Sequence, residues 1–394
     1  MRTPHLPQAS QPISADSTIA VVLLPTPSYL TSMGNMTLAL YRYFNYCIVF
    51  LLSASSLLVS AFLTQTGASI NIRVRWLSSK SIHDEAESAL SVIGVVAPLR
   101  YVGPYACLGL NFPNIRRNPG VEINFVLDTA ANVNTISSEI ANELGLPILV
   151  KGDDLSLLGS AGAGGTFKAG DIVMLGDSRL SGMPDNQSNN TFMTNMTAAA
   201  MSLGIANSVG GGMLGSQFFN CFKGGVEFDW YGTDGDPPTL IFYHALPDYA
   251  KENASRVPLK TEEFFGLPTV SVKINDKELR AIIDTGSPIT IVSPSMASDI
   301  GISKEDEMVK IKGVDDGAAM GISKSLDEVS LSIGDVKLNL PTIFIGELPG
   351  LTMASKLLDD SCQPQVLLGL DSLRRTYRMI LRMSEGELWL EEMP

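Results

Sequence analysis

The chain has 394 residues, of which 45% are apolar and 18% are charged, a composition typical of a folded globular protein with a substantial core. Its net charge of −13 and its pI near 4.7 argue against nucleic-acid binding, because no basic stripe is available to neutralise phosphates. The 4 cysteines are scattered and only 3 histidines are present. A zinc site, a disulfide framework or a histidine-dependent triad is therefore not expected, and neither is a metal or cofactor.

The first predicted segment is a leader over residues 1–84. No charged residue lies between Arg42 and Arg73, and the apolar stretch 43–63 fits the apolar part of a signal peptide or a membrane-spanning helix. The following stretch is basic, contains serine and has no acid before Asp84, which is typical of transit peptides. We expect the secretory pathway or membrane association through 43–63. The order of the two parts also resembles the bipartite leaders of algae with secondary plastids, which makes such a plastid the second option.

Two stretches after the leader repeat one pattern. They are FVLDTAANVNTIS at 125–137 and RAIIDTGSPITIVS at 280–293, and their Asp-Thr pairs lie 156 residues apart. In both, apolar residues alternate up to the Asp-Thr pair, which predicts a half-buried strand that ends in a turn. A second short strand and a helix of about two turns follow. Ser293 with Pro294 is the predicted helix start, Ser137 aligns with Ser293 in the repeat, and Gly145 and Gly301 are the predicted stop residues.

A late apolar-apolar-glycine element completes the repeat. It reads MLG at 213–215 and LLG at 367–369. The chain therefore contains two similar units, an N-terminal one over 95–247 and a C-terminal one over 256–394. Short strands, turns and glycines fill both units, without a run of long amphipathic helices, and this pattern predicts an all-β protein.

These residues resemble the aspartic protease family, in particular its retroviral-type, retropepsin-like branch. The resemblance rests on DTGS at 284–287 after an apolar strand and on VLLGLD at 366–371, and the repeat extends it to both units. It implies two similar β-barrel lobes with the active-site cleft between them, and one catalytic aspartate from each lobe. The protein is then an aspartic endopeptidase with Asp128 and Asp284 as its catalytic pair and an extended peptide as its substrate.

Paired carboxylates explain why two copies of the motif are needed. Peptide hydrolysis without a covalent intermediate requires a base that activates water and an acid that protonates the carbonyl oxygen or the leaving amine. Two carboxylates about 3 Å apart cannot both ionise, so they share one proton and supply both functions. Because this chain carries both motifs, we expect a monomer in which the two lobes pair within one molecule.

The neighbours of the two aspartates are predicted to support the active-site loops. In the family that these motifs resemble, the threonine after each aspartate makes hydrogen bonds across the lobe interface, a role that falls here to Thr129 and Thr285. Gly286 permits a close backbone approach and presents its N–H group to the carboxylate. The Ser287 hydroxyl is expected to hydrogen-bond Asp284.

The third predicted element is a flap that closes over the bound peptide. The stretch GSAGAGGTFKAG at 159–170 resembles the glycine-rich flap of retropepsins, in which Gly162, Gly164 and Gly165 provide the turn and the substrate contacts. A less glycine-rich stretch, KGVDDGAAMG, occupies 312–321 in the second unit. A plain surface hairpin is the alternative for both stretches.

Two alternatives to the single-chain enzyme remain open. The first is a catalytically inactive, retropepsin-like peptide-binding protein that has kept the cleft, because the first motif has Ala130 and Ala131 where the second has Gly286 and Ser287. The second is an intermolecular dimer that pairs the Asp284 loops of two chains. An active enzyme has to tolerate the alanine turn beside Asp128.

Overall fold

The computed structural model divides the chain into two compact units, Met1–Glu85 and Ala86–Pro394. It describes residues 61–66, 69–74, 94–152, 160–161, 167–168, 170–183, 190–203, 209–232, 236–261, 266–311, 320–347 and 364–394.

In the first unit, the described residues form one antiparallel hairpin. Strand β1 (Ala61–Thr66) pairs with strand β2 (Ser69–Val74). The predicted apolar leader segment lies outside the described residues as far as residue 60, and its last residues, 61–63, are in a strand rather than a helix. None of the helices in the described part of the chain is long and apolar enough to cross a membrane.

The second unit is built mainly from strands, and its first half contains β3 to β15. In chain order these are β3 (Val95–Pro98), β4 (Arg100–Val102), β5 (Tyr105–Phe112), β6 (Val121–Leu127), β7 (Thr135–Ser137), β8 (Ile148–Val150), β9 (Ser160–Ala161), β10 (Phe167–Lys168), β11 (Asp171–Leu180), β12 (Met193–Met201), β13 (Gly212–Leu214), β14 (Gly225–Asp229) and β15 (Thr239–Tyr243).

The second half of this unit contains the remaining strands. They are β16 (Ser255–Pro258), β17 (Thr269–Ile274), β18 (Lys277–Ile283), β19 (Ile291–Val292), β20 (Lys304–Ile311), β21 (Met320–Ser325), β22 (Val329–Ile333), β23 (Val336–Leu340), β24 (Phe344–Ile345), β25 (Val366–Leu368), β26 (Arg378–Arg382) and β27 (Glu387–Glu391). The helices of both halves are short: α1 (Ser138–Leu144), α2 (Ser216–Phe219), α3 (Asp248–Asn253), α4 (Pro294–Asp299), α5 (Leu370–Leu373) and a 3₁₀ turn (Met383–Glu385).

These strands form two lobes and a sheet that joins them. In the N-terminal lobe the strand order is β4-β5-β6-β13-β7-β12-β11-β8, and an extra pairing between β5 and β11 closes a six-stranded barrel. The C-terminal lobe is a curled sheet of order β20-β21-β24-β19-β25-β18-β17-β22-β23. The predicted all-β fold with two aspartic-protease-like barrel lobes is confirmed.

The two lobes share one local topology around the repeated motif. Strand β6, which ends before Asp128, pairs in parallel with β13, and β13 pairs antiparallel with β7. Strands β18, β25 and β19 repeat this arrangement before and after Asp284. The inward side chains of these strands, Phe125, Leu127 and Ile283, are fully buried. The alternation of apolar residues in the sequence therefore marks the side of each strand that faces the core.

The helix that follows each motif begins and ends where the sequence predicts. In α1 the Ser137 hydroxyl accepts a hydrogen bond from the backbone N–H of Ile140 at 3.4 Å, and Gly145 adopts the left-handed conformation (φ 61°) that ends the helix. In α4 the proline Pro294 takes the first helical position, and Ser293 makes no side-chain cap.

A six-stranded sheet of order β16-β27-β26-β14-β15-β3 takes strands from both halves of the unit. Strand β14 of the first half pairs with β26 of the second, from Val226 opposite Leu381 to Asp229 opposite Arg378. The buried Trp230 indole donates to the Thr376 hydroxyl at 3.3 Å across the same joint. The lobes are therefore held in one body, in which the two motifs can meet.

Candidate active site

Each aspartate is anchored by the late apolar-apolar-glycine strand of its own lobe. The backbone N–H of Asp128 donates to the Leu214 carbonyl at 3.0 Å, and that of Asp284 donates to the Leu368 carbonyl at 2.9 Å. Strand β13 lies parallel to β6, and β25 lies parallel to β18. Each aspartate therefore follows the carboxyl end of two parallel strands in its own lobe. The two parts of the repeat are thus needed together to position one side chain.

The glycine of each late element is required by close backbone packing. A Cβ atom on Gly215 would lie 2.5 Å from the Val133 carbonyl oxygen, and one on Gly369 would lie 2.3 Å from the Ile289 carbonyl oxygen. Such distances are too short for any side chain, so only glycine lets the motif turn rest on the late strand.

Backbone N–H groups in each turn face the carboxylate. Those of Ala130 and Ala131 donate to Oδ1 of Asp128 at 3.0 and 2.9 Å. In the other lobe the N–H of Gly286 donates to Oδ1 of Asp284 at 2.9 Å, and the N–H of Ser287 also faces this carboxyl. The alanine turn therefore provides the same kind of donors as the glycine-serine turn.

The structure brings Asp128 and Asp284 together. The two residues are half-buried, and their carboxyl groups lie within hydrogen-bonding reach of one another across the lobe interface. Two carboxyl groups can share such a hydrogen bond only when one of them carries a proton. The pair therefore has the geometry of one shared-proton site assembled from both lobes.

Thr129 and Thr285, both fully buried, make reciprocal hydrogen bonds across the interface. The Thr129 hydroxyl donates to the Ile283 carbonyl at 2.6 Å and accepts from the Thr285 N–H at 3.1 Å. The Thr285 hydroxyl donates to the Leu127 carbonyl at 2.7 Å and accepts from the Thr129 N–H at 3.2 Å. These four bonds join the two aspartate turns directly beneath the carboxyl pair.

Burial shifts the proton affinity of both aspartates. It raises the pKa of Asp128 from 3.8 to about 6, against the opposing effect of the Ala130 and Ala131 N–H groups. The pKa of Asp284 is raised well above its usual value, first by burial and then by the charge of Asp128. Both shifts favour a state in which the pair holds one proton, and this titration belongs to the pair.

Gly286 of one turn lies close to the carboxyl group of the other turn. A Cβ atom at this position would lie 2.4 Å from Cγ of Asp128 and 2.7 Å from its Oδ2. Gly286 does not have a positive φ, so the requirement for glycine here is steric. Ala130, at the equivalent position, is likewise free of positive φ and is accommodated without backbone strain.

The Ser287 hydroxyl does not contact Asp284 as the sequence suggests. It donates instead to the carbonyl of Ile289 at 2.8 Å, within the same turn. A serine hydroxyl readily donates to a backbone carbonyl two residues away in the same turn, in preference to a more distant acceptor. Ser287 therefore serves Asp284 through its backbone N–H only.

A second polar layer, which sequence reasoning missed, supports the turns from behind. Asn134 Oδ1 accepts from the Gly215 N–H and the Thr290 hydroxyl oxygen accepts from the Gly369 N–H, both at 3.1 Å. Asp371 in turn accepts from the Thr290 hydroxyl at 2.6 Å. Asn134 and Thr290 lie 156 residues apart, the same spacing as the two aspartates. This equal spacing of two polar residues could have indicated their role from the sequence.

The predicted flap is described only at its base. Strand β9 pairs antiparallel with β10, and β8 pairs antiparallel with β11 below them, in the manner of a long hairpin. The glycines Gly162, Gly164 and Gly165 lie outside the described residues, as does most of the second glycine-containing stretch, 312–319. Their contacts with substrate stay a prediction.

Residues 270–372 match the family model described as aspartyl protease. This part of the chain is similar to the aspartyl protease family. The resemblance seen in DTGS and VLLGLD is thereby confirmed. The matched range contains Asp284 and the late element of the second lobe, whereas Asp128 lies before it.

Solved structures show similarity at low sequence identity. Conglutin gamma, a basic 7S globulin from lupine seeds, aligns over 77% of this chain and 95% of its own, at 10% identity and a TM-score of 0.44. The basic 7S globulin from soybean aligns over 76% of this chain and 96% of its own, at 11% identity and a TM-score of 0.42. A retropepsin-like aspartic protease from Rickettsia conorii aligns over 35% of this chain and 90% of its own, at 14% identity and a TM-score of 0.26. No curated protein sequence matches the chain.

Proposed function

We propose that the protein is an aspartic endopeptidase that hydrolyses peptide bonds with a water molecule activated between Asp128 and Asp284. The observation that carries this proposal is that the two carboxyl groups meet across the lobe interface, each on a matching turn whose threonine is hydrogen-bonded to the other turn. The family match over residues 270–372 supports it from the side of Asp284.

The pKa shifts assign different roles to the two carboxyl groups. Asp128, whose pKa is raised less, takes a proton from the water molecule as its oxygen attacks the peptide carbonyl carbon. Asp284, which holds the shared proton, donates it to the carbonyl oxygen. The proton on Asp128 then passes to the amine nitrogen as the C–N bond breaks, and the return of a proton from the carbonyl-derived hydroxyl to Asp284 restores the starting state.

The alanine turn supports the enzyme over the inactive peptide-binding protein. An inactive homologue is expected to lose donors to one carboxylate, whereas Ala130 and Ala131 both keep their N–H groups within 3.0 Å of Asp128 Oδ1. The substitutions relative to the second motif therefore leave the hydrogen bonding of Asp128 intact.

The chain is proposed to act as a monomer, because both halves of the carboxyl pair come from one molecule and no second copy is needed to complete it. Peptides or proteins are its proposed substrates. The predicted flap glycines Gly162, Gly164 and Gly165 are proposed to close over the bound peptide.

The leader is proposed to direct the protein to the secretory pathway or to a membrane through residues 43–63, with the plastid of a secondary-plastid alga as the second option. The charge-free apolar run and the basic segment after it support this proposal. A fluorescent protein fused after residue 84 should be delivered to a membrane-bound compartment. A diffuse signal identical to that of the unfused fluorescent protein would contradict it.

Incubation of the purified full-length chain with a diverse peptide library between pH 3 and pH 7 tests the enzymatic proposal. We expect cleavage that is inhibited by pepstatin and is absent from the Asp284→Asn variant. Saturable binding of library peptides without any cleavage, by a folded wild-type chain, would favour the noncatalytic peptide-binding protein instead. Gel filtration of the active fraction at the mass of a dimer would contradict the monomer.

A further inference from the structure

We infer that the hydroxyl of Tyr105 is a third polar group of the active site and donates a hydrogen bond to the peptide held beside Asp128 and Asp284. This inference rests on the proposed function and extends it with a residue that lies outside both aspartate motifs. Tyr105 is the first residue of β5, in the lobe that carries Asp128.

The strand register places Tyr105 next to the carboxyl pair. Strands β5 and β6 pair antiparallel, with Phe112 opposite Val121 and Cys107 opposite Val126. The pairing ends at Cys107 and Val126, and its register extended by two residues leads to Tyr105 on one strand and to Asp128 just after the other. Residues two apart on a strand share one face of the sheet, so Tyr105 follows the face of Cys107 and Asp128 follows that of Val126. Tyr105 and Asp128 therefore leave neighbouring strands on one face.

That face is separate from the main core of the lobe. The alternate residues of β5, Ala106, Leu108 and Leu110, are fully buried in the main core. Tyr105 instead packs against a small apolar cluster on the opposite face, composed of Cys107, Val126, Leu203 and Met213. The cluster holds the ring while the residue as a whole remains only half-buried.

The charge of the second aspartate also acts on the phenol. Burial raises the pKa of Tyr105, and the charge of Asp284, which belongs to the other lobe, raises it further.

The Tyr105 hydroxyl is available to a ligand. Three other tyrosine hydroxyls are hydrogen-bonded: that of Tyr231 donates to the Arg374 carbonyl, and those of Tyr243 and Tyr249 donate to Glu227. Among the described residues, the Tyr105 hydroxyl has no hydrogen-bond partner. A phenol is a neutral donor at the pH values at which the carboxyl pair titrates.

Such a donor has a defined use beside an attacking water molecule. As the water adds to the peptide carbonyl, negative charge develops on the carbonyl oxygen, and a fixed donor in a site of low dielectric stabilises that charge. Tyr105 belongs to the short hairpin of β4 and β5, which has Pro104 in its turn. It does not belong to the predicted flap. Its position is thus set before the peptide binds.

The test compares Tyr105→Phe with wild type in steady-state peptide cleavage. The substitution keeps the ring in its apolar cluster and removes only the hydroxyl. We expect kcat to fall by roughly 10- to 100-fold with little change in KM, because the hydrogen bond strengthens in the transition state. The matched control is Tyr231→Phe, which removes a hydroxyl bonded to the Arg374 carbonyl and should keep the wild-type kcat.

A second measurement does not depend on turnover. Ultraviolet titration of the tyrosines, with Tyr105→Phe to assign the signal, should show that Asp284→Asn lowers the pKa of Tyr105, since a negative charge is removed from its surroundings. An unchanged pKa would overturn the placement of the phenol within reach of the Asp284 charge.

The outcomes separate this inference from the proposed function. An active wild type together with an equally active Tyr105→Phe variant would overturn the role of Tyr105 and leave the endopeptidase intact. A fall in kcat that is explained by a smaller folded fraction of Tyr105→Phe at the assay temperature would assign Tyr105 a structural role and also overturn the inference. A folded wild type that cleaves no peptide would overturn the proposed function, and the inference with it.

Discussion

The two aspartate turns, DTAA in the first lobe and DTGS in the second, differ in sequence yet provide equivalent hydrogen bonds. Both donate backbone N–H groups to their own carboxyl group, from Ala130 and Ala131 in the first turn and from Gly286 in the second. The turns differ at the residue that faces the opposite lobe, where Gly286 closely approaches the Asp128 carboxyl group. The comparison shows that donors to a carboxylate depend on backbone shape, which alanine can adopt, whereas contact with the opposite carboxylate depends on the size of a single side chain.

The largest effect is expected from removing either member of the carboxyl pair. Asp128→Asn and Asp284→Asn should each lower kcat by about 10⁴-fold or more, because the acid and the base are lost together. Peptide cleavage measures both, and the matched control is Asp248→Asn, an exposed carboxylate in α3 that is paired with Lys251. If Asp128→Asn retained activity while Asp284→Asn did not, the two turns would not be equivalent halves of one site.

The contrast between the turns can be tested by exchanging their side chains. Gly286→Ala places a methyl group 2.4 Å from the Asp128 Cγ position. It should displace the carboxyl group, with a loss of about 100-fold in kcat and about 1–3 kcal/mol in stability.

Ala130→Gly is the matched change in the other turn. It should leave activity intact and lower stability by only about 0.4–1 kcal/mol, because it adds backbone freedom to the unfolded chain. Cleavage assays and urea denaturation of the two variants measure the contrast. Equal effects of the two substitutions would refute the asymmetry of the turns.

The threonine pair tests what joins the turns. Thr285→Val keeps the side-chain volume but leaves the Leu127 carbonyl and the Thr129 N–H without their partner, at about 1–3 kcal/mol for each stranded group. Thr285→Ser keeps the hydroxyl and loses one methyl group, worth about 0.8 kcal/mol. In urea denaturation the valine variant should therefore be the less stable of the two, and the reverse order would show that packing rather than hydrogen bonding joins the turns.

The smallest effect is expected from pH, and it involves a buried carboxyl group outside the cleft. Burial raises the pKa of Glu227 from 4.5 to about 7, against the charge of Arg378 and the hydrogen bond from Tyr243, while Asp229 and Glu391 add to the increase. Glu227 lies on β14 of the sheet that joins the lobes, and Tyr249 of α3 also donates to it.

The sign of the pH effect follows from these raised values. A carboxyl group whose folded-state pKa is raised stabilises the fold most below its unfolded-state pKa, and that contribution is lost as pH rises through the folded-state value. Since Asp128, Asp284 and Glu227 all shift upward, thermal stability should fall between about pH 4 and pH 7. Scanning calorimetry should show a smaller fall for Glu227→Gln, and a wild-type stability that rises over this range would contradict the assignment.

Local pattern predicted a large part of the fold. The alternation that ends at Asp128 and Asp284 corresponds to strands with one buried side, and the helix starts at Ser137 and Pro294 lie where the cap residues indicate. The six-stranded sheet that joins the lobes was not predicted, because it pairs β14 with β26, which are far apart in the chain. Neither strand carries a local sign of its partner.

Some residues of the candidate site could likewise be predicted from the sequence and others could not. The aspartates, the threonines and Gly286 were predictable because the repeat aligns them and their chemistry requires those residue types. The contact of the Ser287 hydroxyl was predicted wrongly, since the direction of a short hydroxyl depends on the turn around it. Asn134, Thr290 and Asp371 were missed because their partners are backbone groups, which become visible only once the strands are in place.

The most direct test of the central claim is carbon-13 NMR titration of labelled aspartate carboxyl groups in the wild type and in Asp128→Asn. If Asp128 and Asp284 share one proton, Asp284 in the wild type titrates well above its ordinary pKa, and its pKa falls when the charge of Asp128 is removed. Titration of Asp284 at an ordinary pKa near 3.8, unchanged by Asp128→Asn, would show two independent carboxylates and contradict the account.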